Sequence, residues 1–193
     1  MPTDRTARGR PPNRVGAPRG EAAVRESLID AATELFVGRG PARVTVREIA
    51  AVADVNHGLV HHYFGTKDGL LRAVLDRLAN RAAAEMVDRE IADARFLDGG
   101  ATAQHGRIMA HLVLEARDPT TVQDEFPAVR ALVDALRSRG LVDDEARARA
   151  AQVTAMVLGW QLFEPFLAAS AGVDSDAATR TRLLDEGVAR LLA

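Results

Sequence analysis

Apolar residues recur every three or four positions along most of the chain, a spacing that places them on one face of an α-helix. Leu28, Ala31 and Leu35 follow this spacing in a first helix predicted to span about residues 21–37. Gly38 follows and predicts the end of that helix. No segment alternates apolar and polar residues long enough to predict a strand, so the fold is predicted to be all-α.

Two short helices are predicted next, and local capping signals mark both. Thr45 and Glu48 form the T-x-x-E pattern of a capping box, which predicts a short helix beginning directly after Thr45. Asn56, a favoured N-cap residue, predicts a second helix that begins after it and runs to about Phe64. Asp54 lies in the turn between them, where a left-handed backbone is usually needed and aspartate is tolerated. Two short helices joined by a tight turn form a helix-turn-helix unit, whose second helix lies in the major groove of DNA.

The rest of the chain predicts longer helices. They begin after Thr66 and are expected over about residues 67–95, 102–117, 126–139, 143–171 and 174–192, with Gly99 and Gly100 in a loop and Pro165 inside the fourth of them. Prolines and glycines in residues 1–20 predict a disordered arm with five arginines and one aspartate. Such an arm can follow phosphates or enter a minor groove, or it is a solvated tail without a specific role. The predicted domains are therefore residues 1–20 (arm), 21–66 (helix-turn-helix) and 67–193 (a second helical domain).

Charge and composition narrow the classes of protein. The net charge is −2, but residues 1–80 hold 12 Lys and Arg against 9 Asp and Glu, while the rest holds 13 against 18. The N-terminal part is thus the electropositive half, as expected of a nucleic-acid-binding domain. The absence of cysteine excludes disulfides and cysteine-based zinc sites and fits a cytoplasmic location. No apolar run of 18 residues is present, so no membrane span is predicted.

The segment from Thr45 to Leu71 carries a more specific pattern. Its matching positions fall in register over 27 residues and resemble the N-terminal signature of TetR-type regulators; they are Thr45, Ile49, Ala50, Val55, Gly58, Tyr63, Phe64 and Lys67. The resemblance covers about 50 residues, from the first helix to Leu71, and the remainder resembles the family only in size and helical character. Two positions depart from the signature: Asp54 replaces the usual turn glycine, and His61 stands where tyrosine is frequent.

The resemblance implies a three-helix DNA-binding domain followed by a helical ligand-binding and dimerisation domain. It further implies a homodimer that binds a palindromic operator in double-stranded DNA and represses transcription. A small, mostly apolar effector would release it, by shifting the helix that begins at Lys67 and changing the spacing of the two recognition helices.

Nine residues are predicted to contact DNA. Thr45 and Lys67 are assigned to phosphates. Imidazoles on the recognition helix can donate to phosphates or base edges, and Leu59 can contact a thymine methyl group. The residues on or near its outer face are Asn56, His57, Gly58, Leu59, His61 and His62, and Tyr63, which can also face the core of the domain, completes the nine.

The C-terminal half offers candidates for a ligand pocket and a dimer interface. The pocket candidates would give a mostly apolar cavity with His105 as a polar anchor; they are Met86, His105, Met109, Leu112, Val113, Phe126, Met156 and Trp160. The interface candidates lie on the last two helices, which in this family pack as a four-helix bundle between subunits; they are Leu158, Leu162, Phe166, Leu184, Val188 and Leu191. An ordinary intrachain core is the alternative for both sets.

The alternatives to a ligand-released regulator are a metal-binding protein, an enzyme and a DNA-binding protein without a ligand. His57 and His61 are spaced to bind a metal, with Asp54 and Asp68 as the nearest carboxylates, but an exposed DNA-facing helix explains them without one, and no metal or cofactor is predicted. His111 and Glu115 are spaced as an acid–base pair or as a surface salt link; no catalytic motif accompanies them, so no enzyme is predicted. A DNA-binding architectural or activating protein without a ligand stays open, and a well-formed apolar cavity would argue against it.

Overall fold

A computed structural model of the protein describes three ranges of the chain, residues 20–87, 100–173 and 176–192. Every regular element in these ranges is helical, so the predicted all-α fold is confirmed. The helices described are α1 (Glu21–Arg39), α2 (Val46–Val52), α3 (Gly58–Phe64), α4 (Lys67–Val87), α5 (Gly100–Leu114), α6 (Pro127–Ser138), α7 (Asp143–Ser170) and α8 (Ala177–Leu192). Short 3-10 turns at Pro41–Arg43 and Pro119–Thr121 precede α2 and α6.

One apolar core holds α1, α2 and α3 together and continues into α4 and α5. Leu28 and Phe36 of α1, Ile49 of α2 and Val60 of α3 are fully buried in it. The α4 side chains in this core are Leu70, Leu71, Val74, Leu75 and Leu78. Full burial of one such side chain contributes about 1.5–3 kcal/mol. The first domain is therefore packed firmly onto α4, across the boundary that the sequence predicted at residue 66.

Arg77 adds a polar link between α4 and α1. Its guanidinium lies 2.7 Å from the Asp30 carboxylate and 3.2 Å from that of Glu26. It also donates to the hydroxyl of Thr33 at 3.1 Å, and Thr33 is buried. The orientation of α1 on α4 is thus fixed by hydrogen bonds as well as by apolar contact.

A second apolar core lies between α6, α7 and α8. Leu136 of α6, Val153 and Val157 of α7, and Val188 and Leu192 of α8 are buried in it. Pro165 lies inside α7, as the sequence predicted. This second core is the framework on which the C-terminal side of the molecule is built.

Several helix ends differ from the sequence prediction. Gly100 is the first residue of α5 and not part of a loop. α5 ends at Leu114 because Ala116 adopts a φ of 55°, which lets the Arg117 amide return to the Leu112 carbonyl at 2.9 Å. α8 begins at Ala177, where the Asp176 side chain accepts from the Thr179 amide at 2.7 Å. Residues 1–19 and 88–99 lie outside the described ranges, so the predicted arm and the predicted extension of α4 to residue 95 are not tested.

Candidate nucleic-acid interface and adjoining cavity

The start of α2 is fixed by the predicted capping box. The Glu48 amide donates to the Thr45 hydroxyl oxygen at 3.3 Å, while the Thr45 amide and hydroxyl each donate to the Glu48 carboxylate at 2.8 Å. The backbone bond from Thr45, then its hydroxyl, then Arg39 at 2.9 Å lower the pKa of Glu48 to about 2. Thr45 is exposed, but its hydroxyl proton is held by Glu48, so Thr45 first serves to fix the position of α2.

The turn between α2 and α3 has the backbone expected from its sequence. Asp54 has a φ of 52°, the left-handed region predicted for that position. The Val55 amide donates back to the Ala50 carbonyl at 3.0 Å, which closes α2. The Ser27 hydroxyl donates to the Ala53 carbonyl at 3.1 Å and ties the turn to α1. The small side chain of Ala50 is buried, as required where helices approach closely.

The start of α3 differs from the prediction by one residue. His57, and not Asn56, is the N-cap, and its side chain makes no capping bond. The Asn56 carboxamide oxygen instead accepts from the Gly58 amide at 2.8 Å. A Cβ added to Gly58 would lie 3.2 Å from that oxygen, a tight contact that would require Asn56 to shift slightly. Asn56 thus stabilises the first turn of α3. Its side-chain oxygen already accepts a hydrogen bond within the protein in the absence of DNA.

Five predicted contact residues form the exposed face of α3 and its preceding turn: Asn56, His57, Gly58, His61 and His62. Leu59 and Tyr63, also predicted to contact DNA, are half-buried and pack against the first core, and their contact with DNA stays a prediction. Their helical register turns them partly inward, beside the fully buried Val60. The Nδ1 atom of His61 lies 2.9 Å from the Gly65 carbonyl oxygen, so it donates there and Nε2 is the remaining polar atom.

Lys67 has a role that the sequence did not reveal. Its ammonium donates to the Pro41 carbonyl at 2.9 Å and to the Val44 carbonyl at 3.1 Å. Two of its three N–H groups therefore hold the turn before α2, and one is left for a phosphate. The distance along the chain between Lys67 and these carbonyls explains why local pattern did not predict the contact.

Two arginines near the start of α2 were missed. Arg43 ends the 3-10 turn, and Arg47 lies in the first turn of α2; both are exposed. Neither forms an ion pair with any residue in the described ranges. The signal available in the sequence was two arginines flanking Thr45, the N-cap of the first helix-turn-helix helix. Unpaired cations at this place suit phosphate or base-edge contacts.

A mostly apolar cavity of about 280 Å³ lies among α4, α5, α6 and α7. Three of the predicted pocket residues line it, His105, Met109 and Phe126. Leu158, predicted for the dimer interface, lines it as well. Residues that the sequence did not single out complete much of the lining, among them Ala79, Ala82, Thr102, Leu132, Val153 and Val157.

The other predicted pocket residues do not line this cavity. Leu112 is fully buried in the first core, and Val113 is 61% exposed because the next helical position faces outward. Met156 and Trp160 pack against the second core, since their positions on α7 face α6 and α8. The side chain of Met86 lies outside the described part of the chain.

His105 is the polar group of the cavity with the best-defined partners. Its Nε2 atom lies 2.8 Å from the Gln123 side-chain oxygen, and the Gln123 amide nitrogen donates to the Glu125 carbonyl at 2.7 Å. Burial lowers the pKa of His105, and the hydrogen bond that His105 donates to Gln123 and the charge of Asp76 oppose this only in part. His105 is therefore neutral at neutral pH.

The predicted dimer residues divide into two groups. Leu184 and Val188 are buried in the second core of this chain, and Leu191 packs against it, so these three belong to intrachain packing. Leu162 and Phe166 are exposed, by 38% and 68%. Phe163 and Leu167, beside them on α7, are exposed too, as is Leu183 on α8. These five residues are here called the apolar strip: Leu162, Phe163, Phe166, Leu167 and Leu183.

His111 and Glu115, weighed above as an acid–base pair, lie against the first domain. A Cβ added to Gly40 would meet the Nδ1 atom of His111 at 2.8 Å and the Oε1 atom of Glu115 at 2.9 Å. Glu115 also accepts from the Ala42 amide at 3.4 Å, and its second carboxylate oxygen is buried without a partner. The pair is thus a contact between α5 and the turn before α2.

Two further findings concern a possible metal site and a membrane span. In the described ranges no three His, Asp or Glu side chains come close enough to hold a metal ion. None of the helices described is long and apolar enough to cross a membrane.

Comparison with known proteins gives consistent matches. Residues 28–74 match the family described as bacterial regulatory proteins, tetR family. The chain is 40% identical over 178 residues to the HTH-type transcriptional repressor Rv3405c of Mycobacterium tuberculosis, covering 91% of this chain and 92% of that protein. It is 41% identical over 70 residues to the HTH-type transcriptional regulator BetI of Rhizobium meliloti, a match that covers 34% of each chain.

A solved structure extends the comparison beyond the N-terminal helices. The transcriptional regulator SCO4942 of Streptomyces coelicolor superposes with a TM-score of 0.65 at 25% identity, covering 87% of this chain and 97% of that one. The similarity therefore includes the C-terminal helices and not only the segment of residues 28–74.

Proposed function

This chain belongs to the TetR family of bacterial transcription regulators, and from that premise we propose that it is a dimeric repressor released from its operator by a small, mostly apolar ligand. Membership makes it a DNA-binding regulator and not an enzyme. Beyond family membership, we propose that the protein acts as a repressor, forms a dimer, binds a small ligand and works in the cytoplasm. The name of its 40% identical relative as a repressor supports the first of these.

The proposed DNA contacts combine the exposed face of α3 with cations around it. His57, His61 and His62 lie on that face and present ring nitrogens to base edges or phosphates. Arg47 and the remaining N–H of Lys67 are assigned to phosphates flanking the major groove. The free amides at the start of α2, directly after Thr45, contact a phosphate.

The proposed dimer forms through the apolar strip on α7 and α8. Exposed large apolar side chains that cluster on one surface mark interaction sites in soluble proteins. Phe163 and Phe166 are 55% and 68% exposed, a fraction that a second copy of the same helices would cover. An interface built from the same patch on both subunits has two-fold symmetry, which suits a palindromic operator.

The observation that carries the proposed release is the course of α5. Its N-terminal part lines the cavity through Thr102, His105 and Met109. Its C-terminal end contacts the turn before α2 through His111 and through Glu115, the residue that directly follows the helix. One rigid helix therefore joins the cavity to the first domain, and a shift caused by a ligand is carried to the place where α2 begins.

A parallel connection runs through α4. Ala79 and Ala82 line the cavity, while Lys67 at the start of the same helix holds the Pro41 and Val44 carbonyls. Arg117, just beyond α5, pairs with Asp68 of α4 at 3.1 Å and links the two routes. Half-sites of an operator lie ~34–36 Å apart, so a small change in the separation of two recognition helices weakens both contacts together.

The cavity favours this function over that of an architectural protein without a ligand. A mostly apolar space of about 280 Å³ between helices is where small molecules bind in helical bundles. A protein that only bends or coats DNA has no need of such a space.

The test of this proposal is selection of bound DNA from a random library, followed by mass measurement of the complex. The expected result is a palindrome occupied by an even number of protein chains. Selection of a single, non-repeated half-site by one chain would show that the proposed dimeric recognition is wrong.

The release step is tested with the selected DNA by a variant that breaks the α5 contact. Glu115→Ala is expected to alter DNA affinity although Glu115 is remote from the exposed face of α3. Leu114→Ala, at an 83% exposed position on the same helix, is the matched control. Equal DNA affinities of the two variants would show that the α5 contact does not control the first domain.

A further inference from the structure

Among the described residues, no charged side chain lines the cavity. The polar side chains in this part of the lining are those of Thr102, His105 and Thr154, and the other described lining residues are aliphatic, aromatic or proline. The Thr154 hydroxyl donates within its own helix to the Ala150 carbonyl at 2.8 Å. A charged ligand enclosed here would have no counter-ion in the lining, and burying an unpaired charge is strongly unfavourable.

The protonation pattern of His105 follows from its neighbours. The Gln123 amide nitrogen donates to the Glu125 carbonyl, which leaves the Gln123 side-chain oxygen as the acceptor facing His105. Nε2 of His105 therefore carries the hydrogen and donates at 2.8 Å. In a neutral imidazole the other nitrogen, Nδ1, is then a hydrogen-bond acceptor. His105, which lines the cavity, thus carries at Nδ1 an acceptor whose state is set by Gln123.

An acidic groove adjoins the cavity and suggests a different ligand. The groove shares Ala79 and Pro127 with the cavity and includes Asp76, Asp124 and Glu125. A cationic group could reach these carboxylates from the cavity. However, Arg72 already pairs with Asp124 at 2.6 Å, and Asp76 and Asp124 are exposed to water, which screens their attraction.

We infer that the cavity takes an uncharged, mostly apolar molecule with one hydrogen-bond donor, and that Nδ1 of His105 accepts from that donor. The inference rests on the proposed function in that it identifies the class of the releasing ligand. An apolar cavity of about 150 Å³ accepts benzene, so a cavity of about 280 Å³ has room for two fused rings.

The test uses four naphthalene compounds that differ only at one substituent. They are 1-methylnaphthalene, 1-naphthylmethanol, 1-naphthoate and 1-naphthylmethylammonium, and binding to the full-length protein is measured by equilibrium dialysis at pH 7.5. Both charged compounds are expected to bind at least tenfold more weakly than the alcohol. Tighter binding of the ammonium compound than of the alcohol would overturn the inference and assign the site to cations. No binding of any of the four would overturn it as well.

The role of His105 is tested by the ratio of the affinities for the alcohol and the methyl compound. His105→Leu removes the acceptor and leaves a buried hydroxyl unpaired, so this ratio is expected to fall by about tenfold. His105→Gln keeps an acceptor and should retain part of the ratio. Val113→Ala, on the exposed side of the same helix, is the control and should retain it fully. An unchanged ratio in both His105 variants would show that Nδ1 does not accept the ligand.

The same compounds separate this inference from the proposed release. DNA affinity is measured with and without saturating 1-naphthylmethanol. Binding of the alcohol with the expected selectivity but without loss of DNA affinity would support the ligand class and contradict ligand-induced release. Loss of DNA affinity on adding only the charged compounds would support release and contradict the ligand class.

Discussion

The ammonium nitrogen of Lys67 lies 2.9 Å from the carbonyl oxygen of Pro41, which places the first residue of α4 in contact with the turn before α2. The Val44 carbonyl accepts from the same ammonium at 3.1 Å. On the same turn, Ala42 donates its amide to Glu115, which follows the end of α5. The turn that precedes the capping box is therefore held both by Lys67 at the start of α4 and by Glu115 directly after α5. Both of these helices also line the cavity.

Lys67→Ala is expected to change both folding and DNA binding. Loss of two hydrogen bonds from a charged donor should lower the free energy of unfolding by about 1.5–3 kcal/mol, measured by urea denaturation. Loss of the proposed phosphate contact should weaken binding to all DNA sequences and reduce the slope of log affinity against log salt concentration by about 0.9. Arg47→Ala is the comparison, because it should change the slope while leaving the stability within about 0.5 kcal/mol. A lower stability with an unchanged slope would show that Lys67 only holds the turn.

His57→Ala is expected to change the choice among DNA sequences without affecting folding. The His57 side chain is exposed and makes no capping bond, so its removal should alter the free energy of unfolding by less than about 0.5 kcal/mol. Loss of one base contact should cost about 1–3 kcal/mol for the preferred operator relative to a variant at the contacted base pair. Affinities for a set of single-base operator variants measure this. An equal loss on every variant would assign His57 to the phosphate backbone.

Gly40→Ala tests the contact between α5 and the turn before α2. Gly40 has a φ of 80° and a ψ of 150°, a backbone region almost restricted to glycine, which alone should cost about 1–3 kcal/mol for alanine, and the new Cβ would also meet His111 and Glu115. Gly20 has nearly the same backbone, with a φ of 90° and a ψ of 153°, and nothing lies within 4 Å of an added Cβ, so Gly20→Ala reports the backbone cost alone. We expect Gly40→Ala to lose about 1–3 kcal/mol more than Gly20→Ala. This excess should shrink when both His111 and Glu115 are also changed to alanine; an excess that persists would place the clash elsewhere.

Glu48 should make the stability of the protein depend on acid pH. Its pKa is about 2 in the folded protein against an ordinary value of 4.5, so its contribution is fully present above about pH 4.5 and is lost as the pH falls toward 2. Glu48→Gln replaces the carboxylate with a neutral carboxamide, which does not titrate over this pH range. The difference in the free energy of unfolding between wild type and Glu48→Gln is therefore expected to shrink from pH 5 to pH 2.5. A constant difference over that range would mean that Glu48 is not held as the carboxylate by Thr45 and Arg39.

The features of the first domain that the sequence predicted are those determined by residues close together in the chain. The capping box of Thr45 and Glu48 spans three residues, and the left-handed backbone of Asp54 follows from its place between two short helices. The contact of Lys67 with Pro41 spans 26 residues. No local pattern indicates which carbonyl a lysine will reach after folding, so the sequence assigned Lys67 to phosphate alone.

In the C-terminal half, helical spacing predicted which residues form the apolar face of each helix. It did not predict which other helices, cavity or solvent that face meets. Leu158 and Leu162 lie one turn apart on α7 and were assigned together to the dimer interface, yet Leu158 lines the cavity and Leu162 is exposed. Val113 follows the buried Leu112 directly and was assigned with it to the pocket. A side chain's partner depends on the crossing of helices distant in sequence, and the periodic pattern of a single helix does not contain that information.

The exposed apolar strip gives the last prediction, which concerns assembly. Phe166→Glu would bring two carboxylates into a two-fold symmetric interface, and each buried, unpaired charge costs several kcal/mol. The dissociation constant of the dimer is therefore expected to rise by at least about 100-fold, measured by analytical ultracentrifugation over a range of concentrations. Leu114→Glu is the matched control, since Leu114 is 83% exposed on α5 and lies outside the strip. Because two linked half-site contacts are lost when the dimer dissociates, Phe166→Glu should also weaken binding to a palindrome far more than binding to a single half-site. A dimer that withstands Phe166→Glu but dissociates with Leu114→Glu would move the interface from α7 and α8 to α5.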